Sequence, residues 1–361
     1  MLHLDLLKAA LLPGDAAVAA WGRWREAIDL DRLDAAAERL LPLAAYHLKR
    51  QGLADASLGR YAQLSTFTWV TNQRRMARVA QLVASLRDAG IPTMLLKGMA
   101  LAVHYYPHPG LRPMDDIDLL VRAEDAARAA AHLAATGWRA DGPLPDLRIT
   151  HAQSFQAGDG AYLDLHWRLL WELVDGEGMD DVWRRSIAAR LGQGEVQVPA
   201  PTDLFLHVVV HGARWSRVPA IRWVADAMAV LSHAGASFDW PLLVDDAIRH
   251  DLVLPLRDAL RLLAETFGAD VPASAQSALA AHRPSRFARV EHWLRGRTSS
   301  RVGGFPLVVC HHVRLNKAHG PVAVVAGLPR YLQSVYGVPT PGAVPAALLR
   351  RAVRRLTLRA Q

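Results

Sequence analysis

The stretch LLKGMALAVHYYPHPGLRPMDDIDLLV, Leu95 to Val121, decides the reading of this chain. Its last ten residues, Arg112 to Val121, put three aspartates directly ahead of an apolar run. In a strand, side chains alternate between faces, so Asp116 and Asp118 project together, about 6 to 7 Å apart at the backbone. Asp115 points the opposite way and suits a local turn or cap. Ile117, Leu119, Leu120 and Val121 are the apolar positions that fix such a strand in a core.

Two carboxylates at that spacing can reach one divalent ion, or bridge two ions about 3.5 to 4 Å apart. Clustered aspartates without cysteine suit Mg²⁺ or Mn²⁺ better than zinc, and Mg²⁺ is usually shared with substrate phosphates. An isolated Asp-x-Asp is also compatible with a solvated strand end or a capping turn. LLKG upstream tips the balance. A strand running into Gly98, where a helix opens, offers free backbone N–H groups and a positive helix end to an anion, and Lys97 adds a charge.

Working outward, Leu2 to about Gly90 shows apolar residues at helical spacing, as in AAAERLLPLAAYHLKRQG and QRRMARVAQLVASLRDAG, each closed by a glycine. These imply a bundle of about four helices. From Ile91 helix and strand alternate: PTMLLKG as a strand, MALAVHYY as a helix, PHPGLRP as a loop, DIDLLV as a strand, AEDAARAAAHLAATG as a helix and WRA as a strand. RITHAQSFQ and AYLDLHWRL read as two more strands joined through AGDG. In the second, Tyr162, Asp164, His166 and Arg168 share one face, and Leu163, Leu165, Trp167 and Leu169 share the other. Neighbouring placement in one sheet would bring Asp164 to the Asp116 and Asp118 pair as a third carboxylate, able to ligate metal or act as base toward a hydroxyl.

Beyond about Leu170 the helical period returns, in PTDLFLHVVVHGARW, IRWVADAMAVLSHAG, WPLLVDDAIRHD and LPLRDALRLLAETFG. His282 to Pro345 reads as irregular. The expected organisation is α+β: an N-terminal helical region over 1–88, a small mixed-sheet catalytic domain over 89–172, a helical domain over 173–282, and an irregular segment with a basic C-terminal helix over 283–361.

The 361 residues are 51% hydrophobic and 7% aromatic, with 11 Trp, which suits packed interiors. Lys and Arg outnumber Asp and Glu by 42 to 34, so an anionic partner is worth considering, although much of the excess sits at the C-terminus. One cysteine, Cys310, excludes an internal disulfide framework. The N-terminus lacks the look of a secretory signal, and no run reaches the roughly 18 apolar residues of a membrane span. A cytoplasmic location is expected.

LLKGMALAVHYYPHPGLRPMDDIDLLV resembles the signature of the uncharacterised nucleotidyltransferase branch of the polymerase-beta-like superfamily, and YLDLHWRL resembles that branch's following strand. The likeness covers about residues 80 to 170 and continues more weakly through LFLHVVVHGARW and IRWVADAMAVL. It implies a polymerase-beta-like fold in which Gly98 opens a helix beneath a triphosphate, Asp116 and Asp118 are paired metal ligands and Asp164 is the third carboxylate. It further implies Mg²⁺ or Mn²⁺ as cofactor and a nucleoside triphosphate such as ATP as substrate. Met99 stands where the family has a serine that touches phosphate, and the interval from Gly98 to Asp116 is longer than in small members. Lys97 and Arg112 are placed to supply the missing contacts. The implied reaction moves a nucleoside monophosphate to a hydroxyl of an unidentified acceptor, a peptide or small molecule if the protein is an accessory to biosynthesis. The alternative is a binding or regulatory protein on the same scaffold without turnover.

Other positions carry two readings each. His207 and His211 lie one helical turn apart, but without an HExxH base they read as core or pocket-lining residues before zinc ligands. Arg222 and Asp226 read as an i,i+4 ion pair, or as polar contacts from a helix over the nucleotide cleft. His166 could orient Asp164 or contact phosphate, or sit simply beside a sheet edge. The tail VPAALLRRAVRRLTLRAQ sets Leu348, Leu349, Ala352 and Leu356 against Arg350, Arg351, Arg354, Arg355 and Arg359. It reads first as a solvated or docked helix, with contact to a membrane surface or nucleic acid as the other use.

Overall fold

In a computed structural model the described residues are 2–29, 33–174, 176–212, 221–297 and 304–357. Four helices come first: α1 (Leu2–Leu11), α2 (Gly14–Ala27), α3 (Ala35–Arg50) and α4 (Ser57–Asp88). Their apolar stripes bury Leu6, Trp24, Leu40, Leu48 and Leu86 in one core. Asp34 caps α3 by accepting from the backbone N–H of Ala36 and Ala37 at 3.1 and 2.8 Å. Gly52 and Gly90 close α3 and α4 at φ +81° and +69°, a backbone region that favours glycine.

The central sheet contains β1 (Thr93–Leu95), β2 (Asp116–Val121), β3 (Trp138–Ala140), β4 (Ala152–Ala157), β5 (Tyr162–His166), β6 (Ile187–Leu191) and β7 (Gly194–Val198). Between β1 and β2 the chain winds through a short helix, α5 (Lys97–Ala100), which continues as a π-helical turn over Leu101–Tyr105. Helix α6 (Ala126–Ala135) links β2 to β3, and α7 (Gly176–Arg185) follows β5.

The strand order is β3-β4-β5-β2-β1-β7-β6. β2 is central, antiparallel to β1 and parallel to β5. Its register sets Asp116 against Tyr162, Asp118 against Asp164 and Leu120 against His166. Partners in register share a face, so one face of the sheet carries the acidic cluster, while Ile117, Leu119 and Val121 are buried on the other.

The proline-rich loop ahead of β2 is pinned to α4. Asn72, fully buried, donates its amide to the carbonyls of Pro109 at 2.7 Å and Arg112 at 2.9 Å. Gly110 passes so close to α4 that a β-carbon there would lie 2.5 Å from the carbonyl oxygen of Ser65. The loop therefore delivers Arg112 and the start of β2 at a fixed height against the bundle.

Two expectations change. The sequence reading returned to helices after Leu170, yet β6 and β7 form an antiparallel hairpin closed by Gly192 and Gln193, and β7 extends the sheet beside β1. His282 to Pro345 was read as irregular, but beyond α8 (Pro201–Gly212), α9 (Arg222–Ala234), α10 (Trp240–Arg249), α11 (Val253–Phe267) and α12 (Ala273–Ala281) it contains three helices. These are α13 (Arg286–Arg297), α14 (Phe305–Asn316) and α15 (Pro321–Tyr336), followed by α16 (Val344–Thr357). Four of the polar residues in the segment, Glu291, His311, His312 and Arg314, face inward. His311 is buried between the Tyr331 hydroxyl and the carbonyl of Trp171, and Arg314 is buried against Glu291.

On α16, Val344 and Ala347 are buried and Leu349 is exposed. Arg359 and the side chains of Arg351, Ala352, Arg354, Arg355 and Leu356 lie outside the described residues. No helix among the described residues is long and apolar enough to cross a membrane.

Candidate active site

Alternation along β2 puts Asp116 and Asp118 on one face, and their surroundings then diverge. Asp118 is 2% exposed and is held by two cationic or donor groups: Lys97 Nζ lies 2.7 Å and His166 Nε2 3.0 Å from its Oδ1. Burial opposes its charge, but Lys97 and His166 hold its pKa well below the ordinary carboxylate range. Asp116 opens to solvent at the mouth of the site. Its pKa is raised by desolvation and by the neighbouring Asp118, with Lys97 partly opposing.

Lys97 adopts φ +41°, a left-handed backbone that costs a non-glycine residue about 1 to 3 kcal/mol. The ion pair with Asp118 and the hydrogen bond from the Leu96 N–H to the Asp118 carbonyl, 3.0 Å, fix it there. Burial disfavours the ammonium, but Asp118, Asp116 and Asp164 outweigh that and raise its pKa.

Asp164 arrives from β5 directly beside Asp118 and accepts from the Ser154 hydroxyl of β4 at 2.6 Å. Ligand atoms of Asp118, Asp164 and His166 lie within 4.8 Å of one another. Asp116 is outside that close group and lines the open cleft instead. The other ring nitrogen of His166, Nδ1, is buried with no hydrogen-bond partner.

The cleft has a volume of about 320 Å³. Lys97, Gly98, Arg112, Asp116 and Asp118 form part of its wall, and His207, His211, Arg222 and Asp226 come to it from α8 and α9. His207 is almost fully buried, so its imidazole stays neutral, with its pKa pushed well below the usual value. Its Nδ1 has no partner. The pocket-lining reading of His207 and His211 therefore describes their place.

Arg112 reaches the cleft but is committed elsewhere. Its Nε and Nη2 donate to Asp226 at 3.1 and 2.9 Å, and Asp226 also accepts from the Tyr106 hydroxyl at 2.8 Å, all three residues being buried. The expected Arg222–Asp226 pair is replaced by this one. Arg222 instead donates to the carbonyl of Pro113 at 3.1 Å and lines the cleft, its pKa lowered to about 10 by burial and by Arg112. The long-range Arg112–Asp226 pair joins segments 114 residues apart, which helical spacing cannot reveal.

Gly98 is the close-approach glycine: a β-carbon there would meet Arg112 Nη1 at 2.7 Å and Met114 Cγ at 3.0 Å. Met99, expected beneath the phosphates, is 1% exposed in the core and is not among the residues that line the cleft.

The profile of a family described as uncharacterised nucleotidyltransferase matches residues 24–268. The chain belongs to that uncharacterised nucleotidyltransferase family. No curated protein matches it. Solved structures similar to it include the antibiotic-resistance factor ANT(2″)-Ia. A crystal form of that protein with adenylyl-2″-tobramycin is 15% identical over 45% of this chain and 91% of that one, at a TM-score of 0.35. Its solution structure is 14% identical over 51% and 97%, at 0.37. An antigenic nucleotidyltransferase-like protein from Paracoccidioides brasiliensis is 13% identical over 62% and 94%, at 0.33.

Proposed function

We propose that the protein transfers a nucleoside monophosphate from a nucleoside triphosphate to a hydroxyl of an acceptor, with a divalent cation held at the acidic face of the sheet. The observation carrying this reading is the register of β2 and β5, which sets Asp118 beside Asp164 and His166 at a cleft lined by Lys97 and Arg222.

The donor set suits Mg²⁺ or Mn²⁺: two carboxylates and one imidazole within reach of one another, and a further carboxylate at Asp116. Asp118 and Asp164 would hold the cation, with Asp116 on its open side. Bound there, it would supply Lewis-acid stabilisation of phosphoryl oxygens.

The chain's own groups do the rest. The acceptor oxygen forms a bond to the α-phosphorus while the bond from that phosphorus to the bridging oxygen breaks, and pyrophosphate leaves with the electron pair. The hydroxyl proton passes to Asp164, whose Oδ1 is engaged by Ser154 while its second oxygen is available. Lys97, Arg222 and the Nη1 of Arg112 meet the charge that grows on the leaving pyrophosphate.

The test is incubation with each labelled nucleoside triphosphate, Mg²⁺ or Mn²⁺ and a cell extract, comparing wild type with Asp116→Asn/Asp118→Asn. Aspartate-dependent labelling and pyrophosphate release are expected, and their absence under every condition would sink the reading. The ion pair of Lys97 with Asp118 gives a second reading some support, since it already neutralises a carboxylate the cation needs. On that reading, nucleotide binds without any pyrophosphate release.

A further inference from the structure

A second cavity, about 700 Å³, runs between α3 and α4 beside the active-site cleft. Its α4 wall is formed by Arg60, Tyr61, Leu64, Thr68, Thr71 and Arg75, a spacing that keeps to one helical face. At 1.5 Å rise per residue the two arginines stand about 22 Å apart at the backbone, the length of six or seven extended residues at roughly 3.3 Å each. Neither arginine has a hydrogen bond or ion pair among the described residues. Between them the wall is apolar and hydroxylic, and Phe67, 72% exposed, is also part of it.

The opposite wall comes from α3 and from the residues just before β2. Arg39 pairs there with Asp115, and Glu38 contributes a carboxylate that has no ion pair among the described residues. Ala35 and Arg39 line both this groove and the cleft with Asp116 and Asp118, so the two cavities share a border.

We propose that this groove is the acceptor site, and that it takes an extended peptide carrying carboxylate side chains and a serine or threonine hydroxyl. The proposal rests on the nucleotidyl-transfer reading for what happens to that hydroxyl, but the groove's selectivity stands on its own. A small molecule would not reach both free arginines at once. A nucleic-acid backbone would set phosphates against Glu38 and Asp115, whereas a peptide can donate backbone N–H groups to Glu38 and place acidic side chains at Arg60 and Arg75.

The test measures fluorescence anisotropy of the full chain with three labelled octapeptides of one serine-containing pattern, bearing Glu, Gln or Lys at alternate positions, and with a labelled octa-adenylate. Nucleotide and metal are omitted, so failure of the transfer reading leaves this measurement intact. The acidic peptide is expected to bind at least tenfold more tightly than the neutral one, and this preference is expected to disappear in Arg60→Glu/Arg75→Glu. Arg60→Gln/Arg75→Gln, with circular dichroism melting as a check of folding, serves if charge reversal disturbs the helix. Equal binding of the three peptides, no binding of any, or a preference that survives both double variants would overturn the proposal. Tighter binding of the octa-adenylate that depends on the two arginines would replace the peptide with nucleic acid.

Discussion

Truncating Asp226 is the sharpest perturbation available, because its carboxylate holds three buried donors at once. Asp226→Ala leaves the Arg112 guanidinium in the interior with only the Pro113 carbonyl, 3.1 Å away, and leaves the Tyr106 hydroxyl without its acceptor. Removing one partner of a buried ion pair costs about 3 to 5 kcal/mol. An orphaned hydroxyl costs about 1 to 3 kcal/mol, and because the groups share one pocket the terms overlap, giving a loss near 5 kcal/mol. Urea unfolding followed by tryptophan fluorescence would read this. The decisive control removes the whole cluster: Arg112→Met, Asp226→Leu and Tyr106→Phe together leave no charge or hydroxyl among these three side chains and should recover most of the lost stability. The pyrophosphate-release rate of that variant should still fall, since Arg112 Nη1 no longer faces the cleft. A loss below about 1 kcal/mol for Asp226→Ala, or a triple variant no more stable than the single one, would refute the account.

Gly98→Ala should cost about 1 to 3 kcal/mol and distort the cleft, because Asp226 denies Arg112 the freedom to retreat from the new methyl; thermal melts and nucleotide binding would register both effects. Asp116→Asn should stabilise the protein at neutral pH while abolishing transfer. The raised pKa of Asp116 means that its ionisation costs stability as pH rises through the folded value, so the gain in the variant should vanish below the ordinary value of 3.8. The gain should be under about 1 kcal/mol, since the carboxylate opens on solvent. For Asp118 the sign reverses. Its depressed pKa stabilises the fold above 3.8 and that contribution is lost as pH falls below it, so Lys97→Met, which removes the main cause, should move the acid-unfolding midpoint upward. Titration of Mn²⁺ by electron paramagnetic resonance should show binding at least tenfold weaker in Asp118→Asn or Asp164→Asn, and equal affinity in both variants and wild type would remove the cation from the site.

Much of the candidate site is legible in the sequence because it depends on local periodicity. The period of two in DIDLLV and YLDLHW already orders carboxylates and apolar residues onto opposite faces, and the helical stripes of α1 to α4 follow from spacing and glycine closure. The hairpin of β6 and β7 escaped because its strands are five residues each and amphipathic, with only the short Gly192-Gln193-Gly194 run to mark the turn. The inward-facing His311 and Arg314 escaped because composition assigns such residues to loops until their partners are known.

By itself the sequence determines that Asp116 and Asp118 share a face, that Gly98 and Lys97 follow a strand, and that Asp164 lies on the polar side of another. The tertiary structure alone decides that β2 and β5 run parallel with Asp118 opposite Asp164. It also commits Arg112 to Asp226 and sends Arg222 to the cleft. It sets Arg60 and Arg75 along an open groove with no ion-pair partner among the described residues. Alternation and helical spacing act over a few residues and are written in the chain, whereas register between strands and ion pairs across more than a hundred residues are settled only by how the whole core packs.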